Sequence, residues 1–154
     1  MDNLDCTYFG NVTQLGDPQL VATADVIVLA DAQIGFFVDS SMRYLALQLK
    51  CVDEFFLINL RVTDAQSSSR SIIVSNNRST VLAMKDEVKL PLVIKEGWQF
   101  ICLDLKDIVQ RAFGASYRSC TEIVFSGSCS IWRIYFQENL YADCQLPYHL
   151  RAGI

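Results

Sequence analysis

Side chains able to do chemistry are few in this chain and poorly spaced for it. His149 is the single histidine, so neither a histidine cluster nor an HExxH spacing can form, and a zinc site would need cysteines alone. The six cysteines, Cys6, Cys51, Cys102, Cys120, Cys129 and Cys144, are widely spread and form no CxxC pair, which offers no knuckle for a metal. The sharpest catalytic arrangement is Cys129 as nucleophile, His149 as base and Asp143 as its orienter, because such triads are defined by geometry and not by spacing. Against it, Cys129 follows Ser126-Gly127-Ser128, which reads as a turn or a strand start, with no helix N-terminus to depress its pKa. Asp53-Glu54 and Asp86-Glu87 look like paired acid/base carboxylates, yet neighbours along a strand point to opposite faces and both pairs lie at turn-like positions. The sequence has no GxxxxGK loop and no GxGxxG before a helix, so nothing supports nucleotide binding. No catalytic residue, cofactor or metal is expected.

Two tryptophans raise a different possibility. Trp98 and Trp132 could form a sugar-binding platform, since carbohydrate-binding modules are commonly β-sandwiches with exposed aromatics, although packing in the core is the commoner fate of a residue such as Trp98. A formal charge of −4 argues against a nucleic-acid binder, which presents a basic face to phosphates. The same charge disfavours anionic lipid surfaces.

The elements that must position these residues follow from patterning. At 154 residues, with 51% hydrophobic and 19% charged positions, the chain fits one domain with one core, and nothing in its composition predicts a disordered half. Met1-Asp2-Asn3-Leu4-Asp5 places acids where a secretory signal carries basic residues, so export is not expected and free thiols follow. The sequons Asn11-Val12-Thr13 and Asn77-Arg78-Ser79 then read as chance matches. Val26 to Ala30 and Ile34 to Val38, the densest apolar runs, are far short of the roughly 18 residues of a membrane span and read as buried strands.

Period-two alternation dominates. Leu45, Leu47, Leu49 and Cys51 alternate with polar residues, as do Phe56, Ile58, Leu60 and Val62, and the two runs are predicted to form a hairpin about Val52-Asp53-Glu54. Further strands are expected at Leu20 to Leu29, Ile34 to Val38, Ser71 to Ser75, Val88 to Ile94, Trp98 to Leu105, Glu122 to Ser126 and Ile131 to Phe136. Gln66-Ser67-Ser68-Ser69 is a loop. One segment changes period: Leu105, Ile108, Val109, Ala112 and Phe113 follow helical spacing, Asp104 can cap the first turn, and Gly114 stands where a left-handed C-terminal cap is needed. The fold class read from this pattern is all-β, a single antiparallel sandwich over residues 1–154 with one short helix.

A set of short motifs carries a resemblance. Val62-Thr63-Asp64 through Ser75-Asn76 with Ser79-Thr80, then Gly97-Trp98-Gln99, Arg111-Ala112-Phe113-Gly114 with Tyr117, and Tyr135-Phe136 with Leu140-Tyr141 and Leu146-Pro147 resemble the cilia- and flagella-associated protein 20 family in order and spacing. The resemblance runs from about Tyr44 to the end. It implies a jelly-roll sandwich like that of carbohydrate-binding modules, without enzyme activity or cofactor. It also implies a structural role in the ciliary or flagellar axoneme, at the inner junction closing the B-tubule onto the A-tubule. Tubulin and neighbouring junction or microtubule inner proteins would be the partners, and basal body or centriole a further location. The other readings are a centriolar or general intracellular protein-binding adaptor of the same fold, and a carbohydrate-binding module.

The chain also departs from the family, whose pattern favours Lys or Arg where Gln66, Ser69, Ser71, Ile73, Gln110, Ser130 and Trp132 stand. The segment before Tyr44 is shorter and lacks the family's pattern, so that its first strand is either Cys6 to Phe9 or missing, as expected of a divergent acidic paralogue. Asn76, Arg78 and Ser79, in a polar loop, are interface candidates. Ile73 and Trp132 join them as apolar replacements of surface cations, and an exposed Trp is costly to leave in water but a favoured anchor in protein interfaces. Trp132 is therefore expected either to dock into a protein neighbour or to turn inward beside Ile134 and Phe136 by alternation.

Overall fold

A computed structural model describes residues 19–22, 26–51 and 53–140. Its architecture is organised by one long strand, Tyr117–Gln137, which unites the two strands expected at Glu122 to Ser126 and Ile131 to Phe136. In chain order the elements are β1 (Gln19–Ala22), β2 (Ile27–Ser40), β3 (Tyr44–Lys50), β4 (Phe56–Asp64), β5 (Ser69–Ser75), β6 (Leu82–Ala83), β7 (Glu87–Pro91), β8 (Trp98–Asp104), α1 (Leu105–Phe113) and β9 (Tyr117–Gln137).

The turn expected at Ser126-Gly127-Ser128 is instead a continuation of β9. Gly127 has φ 107°, and a Cβ there would overlap the Phe55 carbonyl oxygen, so only glycine lets the neighbouring chain approach this closely. Ser128 donates its N–H to that same carbonyl at 3.0 Å. Before this point β9 runs between β2 and β4; after it, β9 runs between β3 on the β4 side and β1 with the start of β2 on the other.

The predicted hairpin between β3 and β4 does not form. Both strands are antiparallel to β9 and lie end to end along the same edge of it, so residues 51–55 carry the chain from one half of β9 to the other without reversing it. Outward from β9 the order continues to β8 beside β3, and to β5, β7 and β6 beside β4. The curled sheet thus folds over on itself into an all-β sandwich. One pair departs from the antiparallel expectation: β5 and β7 are parallel, because residues 76–86 return the chain along the length of β5 and turn it once more at the β6–β7 hairpin. The strand expected from Leu20 to Leu29 is divided between β1 and β2, and the one expected to reach Ile94 closes at Pro91. Cys6 to Phe9 lies outside the described residues.

The apolar faces meet as alternation requires. Leu45, Leu47 and Leu49 of β3, Phe56, Ile58, Leu60 and Val62 of β4, and Ile123, Phe125, Ile131, Ile134 and Phe136 of β9 are all buried in one cluster. Phe125 lies edge-on to Phe36 and stacks on Phe56, each at a centroid distance of 6.1 Å. Burying side chains of this size contributes roughly 1.5–3 kcal/mol each before chain entropy is subtracted.

The helix matches its sequence signals. Leu105 and Val109 are its buried residues, the Asp104 carboxylate accepts the Asp107 N–H at 3.0 Å, and Gly114 is left-handed at φ 62°, ψ 30°. Arg43 clamps Asp104 with two bonds of 2.8 Å, holding its carboxyl below the usual range. The Gln66 to Ser69 loop is closed by buried Asp64, which accepts N–H bonds from Gln66 and Ser68 at 2.9 Å and pairs with Arg70 at 3.0 Å. The Arg70 guanidinium lies 4.8 Å from the Phe113 ring centroid, so this turn and the helix end share one cation.

Candidate protein-docking surface

Alternation predicts that Trp132 shares the core face of Ile134 and Phe136. The structure corrects this. Along β9 the register to β3 shifts between Leu47↔Ile134 and Leu49↔Ile131, so one extra residue of β9 is accommodated opposite Gln48. Such a bulge turns both of its residues away from the core. Arg133 donates to Gln48 Oε1 at 2.9 Å, and Trp132 packs on Trp98 with ring centroids 5.8 Å apart and a tilt of 55°. Ile131 and Ile134 are both buried but three apart, a spacing that an unbroken strand does not bury on one face.

Trp98 stands in β8 opposite Lys50, and Phe100 opposite Gln48, so β8, β3 and β9 bring Trp98, Phe100, Lys50, Trp132 and Arg133 to one outer face. Trp98 is 40% and Phe100 53% exposed, a large area of aromatic surface to leave in water. The Arg133 guanidinium lies 3.7 Å from the Trp132 ring centroid, within cation–π reach. Aromatic surface beside an arginine is the composition enriched in protein interfaces.

The other candidates sit next to this patch but in different roles. An open cleft of about 710 Å³ is lined by Lys50, Asn76, Arg78 and Lys95 among others, and Lys50 is shared with the aromatic face. Asn76 donates to the Glu54 carbonyl at 2.7 Å and accepts the Phe56 N–H at 2.9 Å, which makes it a brace for the step between β3 and β4. Arg78 reaches the Thr80 carbonyl at 3.3 Å, and Ser79 is exposed beside it. Ile73, half-buried on β5 between Asn59 and Lys89, belongs to the other half of the sheet and is not brought to Trp132. Sequence reasoning missed Phe100, Lys50 and Arg133, whose shared face depends on pairings between distant segments.

Of the catalytic arrangement weighed above, His149 and Asp143 lie outside the described residues. Cys129 is buried at the β9 bend; its hydrogen bond with Cys51, and then burial, push its pKa up, the reverse of what a nucleophile requires. Cys120 is pushed up to about 12 by burial. Cys51, Cys102, Cys120 and Cys129 are free thiols. Among the described residues no group of three or more His, Cys, Asp or Glu side chains is placed to hold a metal.

Residues 26–153 match the CFA20 domain. Two similar proteins are those named cilia- and flagella-associated protein 20 in Paramecium tetraurelia and in Chlamydomonas reinhardtii, each 30% identical over 106 residues, or 69% of this chain and 56% of the relative. The protein of that name in Caenorhabditis elegans is 28% identical over the same length, covering 52% of the relative. The chain therefore spans about half the length of these relatives. The match to the domain begins at residue 26, upstream of Tyr44 where the resemblance was read to start, and so takes in β2. With most of its length matched and a sandwich beneath it, the chain belongs to the CFA20-domain family.

Proposed function

We propose that this protein is a non-catalytic structural component of cilia and flagella, seated in axonemal doublet microtubules at or near the inner junction between A- and B-tubules. The names of its relatives support the ciliary part of this reading. The observation that carries the binding part is the outer aromatic face: Trp98 and Trp132 packed together, Phe100 exposed beside them, and Lys50 and Arg133 at their margin. Such a face anchors a protein neighbour by burying aromatic area, while its two cations steer it toward an acidic or polar rim. With a net charge of −4, that neighbour is another junction or microtubule inner protein in preference to the acidic tubulin surface.

The same face bears on the sugar-binding reading. Stacking of sugar rings needs a flat aromatic surface; here the two rings are tilted by 55° and Arg133 covers one of them. A glycan array giving hits that disappear in Trp132→Ala would nevertheless favour a carbohydrate ligand. The direct test of the structural role is a tagged copy in a ciliated cell. Retention with detergent-extracted axonemes supports it, and a copy that stays diffuse in cytoplasm or nucleus refutes it.

A further inference from the structure

The bend in β9 brings two thiols together that the sequence separates. The β3–β9 ladder pairs Leu49 with Ile131 and ends at Lys50 with Ser130; continuing that register by one residue past the end of β3 sets Cys51 against Cys129. Directly opposed residues of an antiparallel pair have Cα atoms about 4.5–5.5 Å apart, inside the range of about 4.4–6.8 Å that a disulfide spans. Both side chains face the core, where Cys129 is part of the buried cluster and Cys51 packs against it. The thiols are free, and they lie close enough for each to shift the other's ionisation.

Access is unequal. Cys51 is half-buried and lines the open cleft of about 710 Å³ that also holds Lys50, Arg78 and Lys95. Cys129 is 3% exposed. A small oxidant can therefore meet Cys51 first, with Cys129 behind it. The hydrogen bond from Cys129 holds the Cys51 thiol below its ordinary pKa, which favours the thiolate on the exposed member.

We propose that Cys51 and Cys129 form an oxidant-sensitive dithiol that closes to an intramolecular disulfide across the β3–β9 ladder. With a low-molecular-weight disulfide as oxidant, the Cys51 thiolate attacks one of its sulfurs, forming a mixed disulfide and releasing one small thiolate. Cys129 then gives up its proton and its sulfur attacks the Cys51 sulfur, displacing the second small thiolate. Two protein thiols lose two electrons and two protons, and the small disulfide is reduced to two thiols. Because the link joins the end of β3 to β9 beside Gly127, it fastens the sheet at the point where the chain passes from one half of β9 to the other.

The experiment treats the full-length protein with oxidised glutathione, blocks remaining thiols by alkylation under denaturing conditions, and maps the peptides by mass spectrometry. A peptide pair joined through Cys51 and Cys129, lighter by two hydrogens and restored by dithiothreitol, is the expected result. Cys120, a buried free thiol, should stay alkylatable. Thermal unfolding should shift upward by about 5–10 °C on oxidation, with no such shift in Cys51→Ala or Cys129→Ser. Glutathione retained on Cys51, pairing of Cys51 with any other cysteine, or a Cys51 that remains a free thiol would each overturn the proposal, and this wild-type map does not depend on the variants folding.

Discussion

The two halves of β9 are built from the same kinds of residue but are used differently. From Tyr117 to Gly127 the strand is flanked by β4 and β2, and Ile123 and Phe125 alternate into the core. From Ser130 to Gln137 it is flanked by β3 on one side and by the start of β2 and then β1 on the other, and the extra residue at Trp132-Arg133 breaks the alternation and sends an aromatic and a cation outward. The first half serves cohesion. The second half gives up regularity and exposes a surface whose composition suits a partner, the kind of local departure from pattern expected where a fold carries function.

Gly127 is the boundary, and altering it should have the largest effect. Any Cβ there overlaps the Phe55 carbonyl oxygen at a positive φ, so Gly127→Ala is expected to cost about 4 kcal/mol or more in a denaturant titration. A loss near zero would mean that the two halves are not joined as described. Next comes a contrast across the boundary. Phe125→Ala, which leaves Phe36 and Phe56 facing a cavity, should destabilise by about 3–5 kcal/mol. Trp132→Arg should cost less than about 1 kcal/mol, because that side chain lies outside the buried cluster. Equal losses would erase the distinction between cohesion and exposure.

Away from β9, Gly114 offers a smaller, cleaner test. A Cβ there meets nothing within 4 Å, so Gly114→Val pays only for the left-handed backbone, about 1–2 kcal/mol. A denaturation midpoint that does not move would remove the cap. The turn at Asp64 supplies a pH signature. The N–H bond from Ser68 first, then Arg70 and Gln66, holds its carboxyl below the ordinary range. Its contribution is therefore complete above the unfolded value of about 3.9 and is lost as pH falls through the lower folded value. Asp64→Asn should be less stable at neutral pH and should show a flatter acid limb. A variant whose acid limb matches the wild type would assign the acid sensitivity to other carboxylates.

What could be read from the sequence divides along the same line. The helix, its Asp104 cap and its Gly114 stop are encoded within ten or so neighbouring residues, and the alternation of β4 needs no knowledge of its partners; both are present as expected. The β3–β4 hairpin does not form because, although strands adjacent in sequence usually pair with each other, each of these pairs with β9 far along the chain, as in Tyr44↔Gln137 and Phe56↔Gly127. Ser126-Gly127-Ser128 continues β9 and does not turn for a related reason: the glycine is required by the approach of Phe55, which is remote in sequence. The docking face was half legible. Trp98 and Trp132 stood out by type, but Phe100, Lys50 and Arg133 join them only through the β8–β3–β9 register and its bulge.

If the outer face of the second half of β9 seats this protein in its assembly, Trp132→Arg and Phe37→Arg should behave differently in a ciliated cell. Phe37 is 73% exposed on β2, opposite Glu122 in the first half of β9, and so controls for the loss of an exposed aromatic. With both variants folded in isolation, Phe37→Arg should be retained in detergent-extracted axonemes at the wild-type level. Trp132→Arg should be depleted, with binding weakened by on the order of 2 kcal/mol or more. Retention of Trp132→Arg at the wild-type level, or equal depletion of both variants, would contradict it.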